Sequence, residues 1–439
     1  MTQSNQRLLT KMPHEIDAAA AGALPAKSAE HGVSFGSPVS PAPVDPMNVL
    51  RQRLESDKHP GIIDLGAGVY RDNEGQYYEF EAIKKAKQIL QCANRGHDYQ
   101  MTVGIASFLS EAAKLLFGAA STQLSQGRIS SCQTIGGTGA NHIGALYLYR
   151  QLSKRSSGQP KPTVYVGTPG WGNYNPLFKH AGFAIKEYVH YDAAADQIDF
   201  DSVRTAMQNA VPQSVFVLQA CGHNPSGADL GKDRWKEVAQ IMEDRELVPF
   251  FDVAYPGFAS EDQEDDMWAV RYFAEKGFEM IAAQSFSKSE RLGAVHVLSK
   301  SSEVATKVTD QLRSLIRWVF SSSPAFGARL ASIILNDAQL KDEWRKELRS
   351  CAARIRSNRE ALHDALKSRS SQPDKWGHIL QERGLFSLLG ISPLQFEKLV
   401  SGYHIYLSPI GRVNFAGLSS SHVEAIAQAI TQVQAETEK

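Results

Sequence analysis

Four short apolar runs constrain the fold most: Thr163-Val164-Tyr165-Val166, Ser214-Val215-Phe216-Val217-Leu218, Val248-Pro249-Phe250-Phe251 and Met280-Ile281-Ala282-Ala283. They are apolar throughout rather than alternating, so both faces of each must be covered. Helical stretches separate them; residues 234–245, for example, carry Trp235, Val238, Ile241 and Met242 on one stripe. Buried strands alternating with amphipathic helices predict an α/β fold, three layers deep, around a parallel or mostly parallel sheet. Residues 327–367 read as one or two long helices, with Leu330, Ile333, Ile334, Trp344, Leu348, Ile355 and Leu362 on the apolar side. The last ninety or so residues mix strand and helix signals and predict a second, smaller α+β unit.

Composition excludes several classes. Forty-seven Lys and Arg balance forty-seven Asp and Glu, so no basic surplus points to nucleic acid or to an anionic membrane. No apolar run is long enough to span a bilayer. The four cysteines are far apart, with neither a C-x-x-C nor a zinc spacing. With no glycosylation sequon either, the chain reads as a soluble cytoplasmic protein without a metal. Residues 1–45 differ from the rest, with an alanine run at 18–21 and the Pro-rich stretch Ser37-Pro38-Val39-Ser40-Pro41-Ala42-Pro43. They read as a flexible extension; Glu15, Asp17 and Glu30 argue against an organellar transit peptide. Gly32-Val33-Ser34-Phe35-Gly36 matches a hydrolase nucleophile elbow in letters only, because no strand precedes it.

Dinucleotide, P-loop and H-E-x-x-H motifs are missing. Gly136-Gly137-Thr138-Gly139-Ala140, just before a helical run, offers backbone N–H groups and a hydroxyl to a phosphate. Other strand ends add polar groups: His223-Asn224-Pro225-Ser226-Gly227, then Asp252-Val253-Ala254-Tyr255, then Ser285-Phe286-Ser287-Lys288-Ser289-Glu290-Arg291. Ligands of open α/β sheets bind at the carboxyl ends of strands. Singly, Asp252 reads as a helix cap, Tyr255 as core and Lys288 as a solvated charge; the ordered set reads as a site around a bound phosphate.

Together with Ile63-Asp64-Leu65-Gly66-Ala67-Gly68-Val69-Tyr70-Arg71-Asp72, Gly170-Trp171-Gly172-Asn173 and Gly411-Arg412-Val413-Asn414-Phe415-Ala416-Gly417, these segments resemble the fold-type-I pyridoxal-phosphate enzymes. Within them the likeness is to the aspartate and aromatic-amino-acid aminotransferases, over residues 45–430. The resemblance implies a large cofactor-binding domain at 78–350, a small domain from 46–77 with 351–439, and pyridoxal 5′-phosphate as cofactor. It assigns Lys288 as the Schiff-base lysine and proton carrier, and Asp252 as the partner of the pyridine nitrogen. Asn224 and Tyr255 would hydrogen-bond the cofactor's phenolic oxygen, and Trp171 would stack on the ring. Gly137, Thr138, Ser285, Ser287 and Arg291 would hold the phosphate, with Tyr99 reaching it from a neighbouring subunit. Arg412 would clamp the substrate α-carboxylate beside Gly68, Trp171 and Asn224, and Arg317 of the partner the distal carboxylate. A homodimer with shared sites, acting on an amino acid and a 2-oxo acid, follows.

Three departures stand against that pattern. Only Ser289 and Glu290 separate Lys288 from Arg291, where the family has a longer loop. Tyr174 and Gln219 occupy positions behind Asp252 where the family often has histidines. Ser321-Ser322-Ser323-Pro324 replaces an Asn-Pro-Pro ending. Same-fold chemistry of another kind (carbon–carbon bond formation, decarboxylation, β- or γ-substitution) and a non-catalytic cofactor-binding role are the alternatives to transamination.

Overall fold

A computed structural model of the 439-residue chain describes residues 40–96, 98–155, 161–287 and 291–437. Residues 40–45 contain no helix or strand, and residues 1–39, with the Gly32–Gly36 motif, lie outside the described residues. From Pro46 onward the chain is one compact unit. Its centre is a seven-stranded sheet built from β1 (Ile129–Thr134), β2 (Thr163–Thr168), β3 (Ala184–Val189), β4 (Val215–Gln219), β5 (Val248–Val253), β6 (Met280–Ser285) and β7 (Gly293–Leu298), in the spatial order β1-β7-β6-β5-β4-β2-β3. Only β7 runs antiparallel, against both β1 and β6; the other pairings are parallel. The mostly parallel α/β sheet expected from the apolar runs is therefore present.

Alternation of side chains across the pleat puts Val164, Val215, Val217, Phe250 and Ile281 on one face, where helices α1 (Gly136–Arg155), α2 (Tyr174–Ala181) and α3 (Ser302–Val319) cover them. Tyr165, Phe216, Leu218, Phe251 and Ala282 go to the other face, under the helices at Phe200–Gln208, Lys232–Asp244 and Trp268–Glu275. The stretch at 327–367 resolves into two helices, α4 (Ala325–Asn336) and α5 (Ala338–Arg369). Asp337 separates them and caps α5 by accepting from the Leu340 N–H at 2.9 Å. Two small sheets tie distant segments together. Ile63 and Asp64 pair with Ile405 and Tyr406, and residues 386–388 pair with 412–414. The last helix, α6 (Val423–Thr437), packs on α5.

Helix α1 lies so close to the sheet that a Cβ at Gly144 would stand 3.0 Å from Ile281 Cγ2 and 3.1 Å from the Phe250 ring. That approach fixes where the first turn of α1 emerges beside the strand ends. Gly144→Val overfills this seam and lowers the unfolding free energy by about 2–3 kcal/mol, read as an earlier midpoint in urea denaturation.

Candidate active site

The carboxyl ends of β1, β4, β5 and β6 meet along one edge, where the sequence had placed its polar clusters. At the phosphate-like end, Gly136 turns the chain from β1 into α1 with φ +66°. The Gly137 N–H donates to Ser287 Oγ at 3.3 Å, and the Ser287 N–H to Ser285 Oγ at 3.1 Å. A Cβ on Gly137 would come within 2.8 Å of Ser285, so glycine keeps this cradle open. Thr138 is exposed in the first turn. These N–H groups and hydroxyls at the positive end of a 20-residue helix are a donor set for a phosphate dianion.

One strand over, Asp252 is buried at the end of β5. Its Oδ2 accepts from the Tyr174 hydroxyl at 2.5 Å. Asn224 Nδ2 donates to Tyr255 Oη at 3.4 Å, while Asn224 Oδ1 accepts from Arg412 Nη1 at 2.9 Å. Arg412 also donates Nη2 to the Gly66 carbonyl at 2.8 Å and lies over the Phe386 ring, 4.2 Å from its centroid. Its Nε is buried without a partner. Gly68 sits half-buried against the same Phe386 ring. Trp171 stands edge-on to Tyr174 at 5.2 Å. Burial raises the Tyr255 phenol above its ordinary value and, with the Arg412 guanidinium opposing, leaves it a neutral donor.

Asn224, Asp252, Tyr255, Trp171, Gly68 and Arg412 thus share one region, with the Gly137–Ser285–Ser287 cradle along the same edge. Lys288 lies outside the described residues. Arg291 is exposed with φ +59°, and its N–H closes a turn onto the Phe286 carbonyl at 3.1 Å; its guanidinium makes no hydrogen bond among the described residues. Two expected residues stand apart on the surface. Tyr99 is 82% exposed, and Arg317 is exposed with Nη1 on Ser321 Oγ at 2.7 Å.

The scaffold behind Asn224 joins Gln219, which the sequence marked as a departure, to residues that the sequence did not single out. The Gln219 side chain holds both backbone groups of Asn224, accepting from its N–H at 2.8 Å and donating to its carbonyl at 3.0 Å. Asp229 accepts from the N–H groups of Gly222 and His223 at 2.8 and 2.9 Å, closing the loop into a ring. The Arg383 N–H binds the Gly227 carbonyl at 2.7 Å. Beneath it, buried Arg359 faces Glu382 at 3.5 Å and donates to the carbonyls of Ile379 and Gly384 at 3.2 and 3.0 Å. Asp229, five residues beyond Asn224 in a polar loop, carried a weak signal. The Arg359–Glu382 pair carried none, because its members sit in unrelated elements.

A family model described as aminotransferase class I and II matches residues 60–430. The mitochondrial aspartate aminotransferase of Dictyostelium discoideum is 38% identical over 400 residues, covering 90% of this chain and 92% of the relative. Aspartate aminotransferase 1 of Medicago sativa is 37% identical, covering 89% and 93%. Among solved structures, an aromatic-amino-acid aminotransferase from Burkholderia pseudomallei covalently bound to pyridoxal phosphate superposes with a TM-score of 0.86 at 34% identity, covering 91% of this chain and all of that one. The fold and the strand-end site therefore define a transferase of the fold-type-I class. The chain belongs to the class I and II aminotransferases, and its cofactor is pyridoxal 5′-phosphate. The donor set fits that group: a cradle that a Cβ would fill, a buried carboxylate for a pyridinium, and two neutral donors for a phenolic oxygen.

Burial pushes Asp229 from 3.8 up to about 6, against the two N–H bonds that favour its charge. The folded state therefore holds a proton that the unfolded chain has released between those values. Stability contributed by this group is present below pH 3.8 and is lost as pH rises through about 6. Asp229→Asn removes a slope on the order of 3 kcal/mol across that window, checked by urea unfolding at pH 4 and pH 7 for both chains.

Proposed function

We propose that the enzyme transfers the amino group of a dicarboxylic amino acid, aspartate or glutamate, to a 2-oxo acid, and that aromatic amino acids are its secondary substrates. The observation that carries this reading is Arg412, held by Asn224 and Gly66 beside the buried Asp252 with its Nε unpartnered. A guanidinium so oriented can accept a carboxylate through two parallel hydrogen bonds. Bound pyridoxal phosphate supplies the electron sink for a carbanion at the substrate Cα. Asp252 keeps the ring nitrogen protonated, Asn224 and Tyr255 hold the phenolic oxygen, and Trp171 covers the ring. Gly137, Thr138, Ser285, Ser287 and Arg291 bind the phosphate, and Gly68 leaves room for the substrate next to Arg412. Lys288 carries the proton to and from Cα, which requires its amine to be neutral in the site.

The active form in this reading is a homodimer, in which Tyr99 reaches the partner's phosphate site and Arg317 its distal carboxylate site. Large exposed side chains support it: Tyr99, Met101, Ile135, Trp318 and Phe326 are each more than half exposed on the single chain. Residues 46–77 with 351–439 act as a small domain on a large domain at 78–350, supported by the pairing of Ile63 with Ile405. Among the described residues no helix is long and apolar enough to cross a membrane. A cytoplasmic location is part of the same proposal, supported by Glu15, Asp17 and Glu30 in the first 45 residues.

The test is the absorption spectrum of the purified enzyme before and after L-aspartate or L-glutamate, without any oxo acid. The expected result is conversion of the bound cofactor to its amine form with one oxo acid released per site. A spectrum unchanged by both amino acids overturns transamination and favours another chemistry on the same fold. Arg317→Ala raises KM for aspartate about tenfold to a hundredfold, the worth of a charged hydrogen bond, and leaves KM for phenylalanine within about twofold, as measured by steady-state kinetics with both donors.

A further inference from the structure

Behind Asp252 the chain departs from the family's usual histidines, and the two replacements do different work. Gln219 stands opposite Asp252 in the register of β4 and β5. Its amide nevertheless turns away, and both its ends go to the backbone of Asn224. The contact to Asp252 comes from Tyr174 in the first turn of α2, whose hydroxyl lies 2.5 Å from Oδ2. Tyr174 is 2% exposed and Asp252 6%, so water does not compete for this bond.

The direction of the bond is fixed. Tyr174 Oη donates and Asp252 Oδ2 accepts, and burial with the adjoining carboxylate pushes the phenol well above its ordinary value, so it keeps its proton. Tyr188, His190, His223 and Asp229 line the cavity beside Tyr174. Burial holds His223 well below its usual value and His190 down at about 4, so both rings are neutral. His223 is engaged with Ser226 at 2.8 Å and stacked on His190 at 4.2 Å. Burial pulls a carboxylate toward its neutral acid, and a hydrogen bond donated to it favours the ionised form against that pull.

We infer that Tyr174 is a positioning residue that acts through Asp252: its hydroxyl, donated to Oδ2, keeps the carboxylate ionised and aimed, so that Asp252 holds the ring nitrogen of pyridoxal phosphate protonated. The inference rests on the aminotransferase reading of the site. A neutral phenol does this without placing a second positive charge behind the ring. The donor that Tyr174 adds behind the electron sink is one that does not titrate near neutral pH.

The experiment reconstitutes the apoenzyme with pyridoxal phosphate carrying ¹⁵N in the ring. In the wild type the ring-nitrogen chemical shift is that of the protonated form. In Tyr174→Phe it moves toward the unprotonated position, and Kd for the cofactor, read by quenching of tryptophan fluorescence, rises about tenfold to a hundredfold. Tyr174→His, which restores a donor, returns the shift to the protonated side. A folded Tyr174→Phe with wild-type shift and Kd overturns the inference and leaves the function standing. If that variant does not fold, a folded Tyr174→His with an unprotonated shift overturns it equally. A wild-type chain that binds no pyridoxal phosphate overturns the reading of the site itself.

Discussion

A carboxylate buried at the end of a central strand is the constraint around which this site is arranged. Asp252 costs several kcal/mol to desolvate in ionised form unless donors surround it. Helix α2 supplies one through Tyr174. Position follows from the sheet: β5 is flanked on both sides by parallel strands, so Asp252 emerges where three strand ends converge. Groups that must act together, Asn224 after β4, Tyr255 after β5 and Ser285 on β6, arrive there because their strands end at one level.

The same requirement for satisfied polar groups extends outward through the loop after β4. Gln219 and Asp229 take up its backbone donors and acceptors from inside, so the loop is held from its two flanks, the end of β4 and Asp229. On its far side lie Arg383 and the buried pair Arg359 and Glu382. Burial pushes Glu382 above the usual carboxylate range, opposed by the facing guanidinium. Such a pair contributes little net stability against an apolar replacement, and removing one member leaves a buried charge alone. Its effect here is geometric: Arg359 gathers the carbonyls of residues 379 and 384 just before the strand that pairs with Arg412. Arg412 and the loop whose Asn224 side chain holds it are thereby referred to one another.

Strands with no polar face were legible from the chain: the runs beginning at Thr163, Ser214, Val248 and Met280 each became β2, β4, β5 and β6 with a shift of one or two residues. Edge and polar strands were not. β3 carries Lys186 and Glu187 outward on the sheet edge. β1 reads as Ile-Ser-Ser-Cys-Gln-Thr, a turn-like composition, because its buried polar groups are satisfied at a distance: Ser130 by the Ala305 carbonyl at 2.6 Å and Gln133 by the Pro324 carbonyl at 2.8 Å. In the site, residues sitting directly at strand ends were found from sequence, since the strands themselves announced the positions. Arg359 and Glu382 were hidden because they are brought together only by packing, whereas Asp229 closes a local loop onto residues 222 and 223. Tyr174 and Gln219 were visible as departures, while the division of labour between them emerged only from which atom each side chain reaches.

The antiparallel strand β7 has a consequence for how this enzyme can vary. Because it pairs with β6 directly, Ser285 opposite Gly293, the connection between them is a hairpin closed by the Phe286 N–H on the Leu292 carbonyl at 2.8 Å. A parallel neighbour would have required a crossover, whose length is coupled to the packing of an intervening helix. A hairpin tip has no such coupling: residues can be gained or lost beyond Phe286 and Leu292 while every rung of the ladder keeps its partner. The length of this connection is thus open to drift without any cost in strand register.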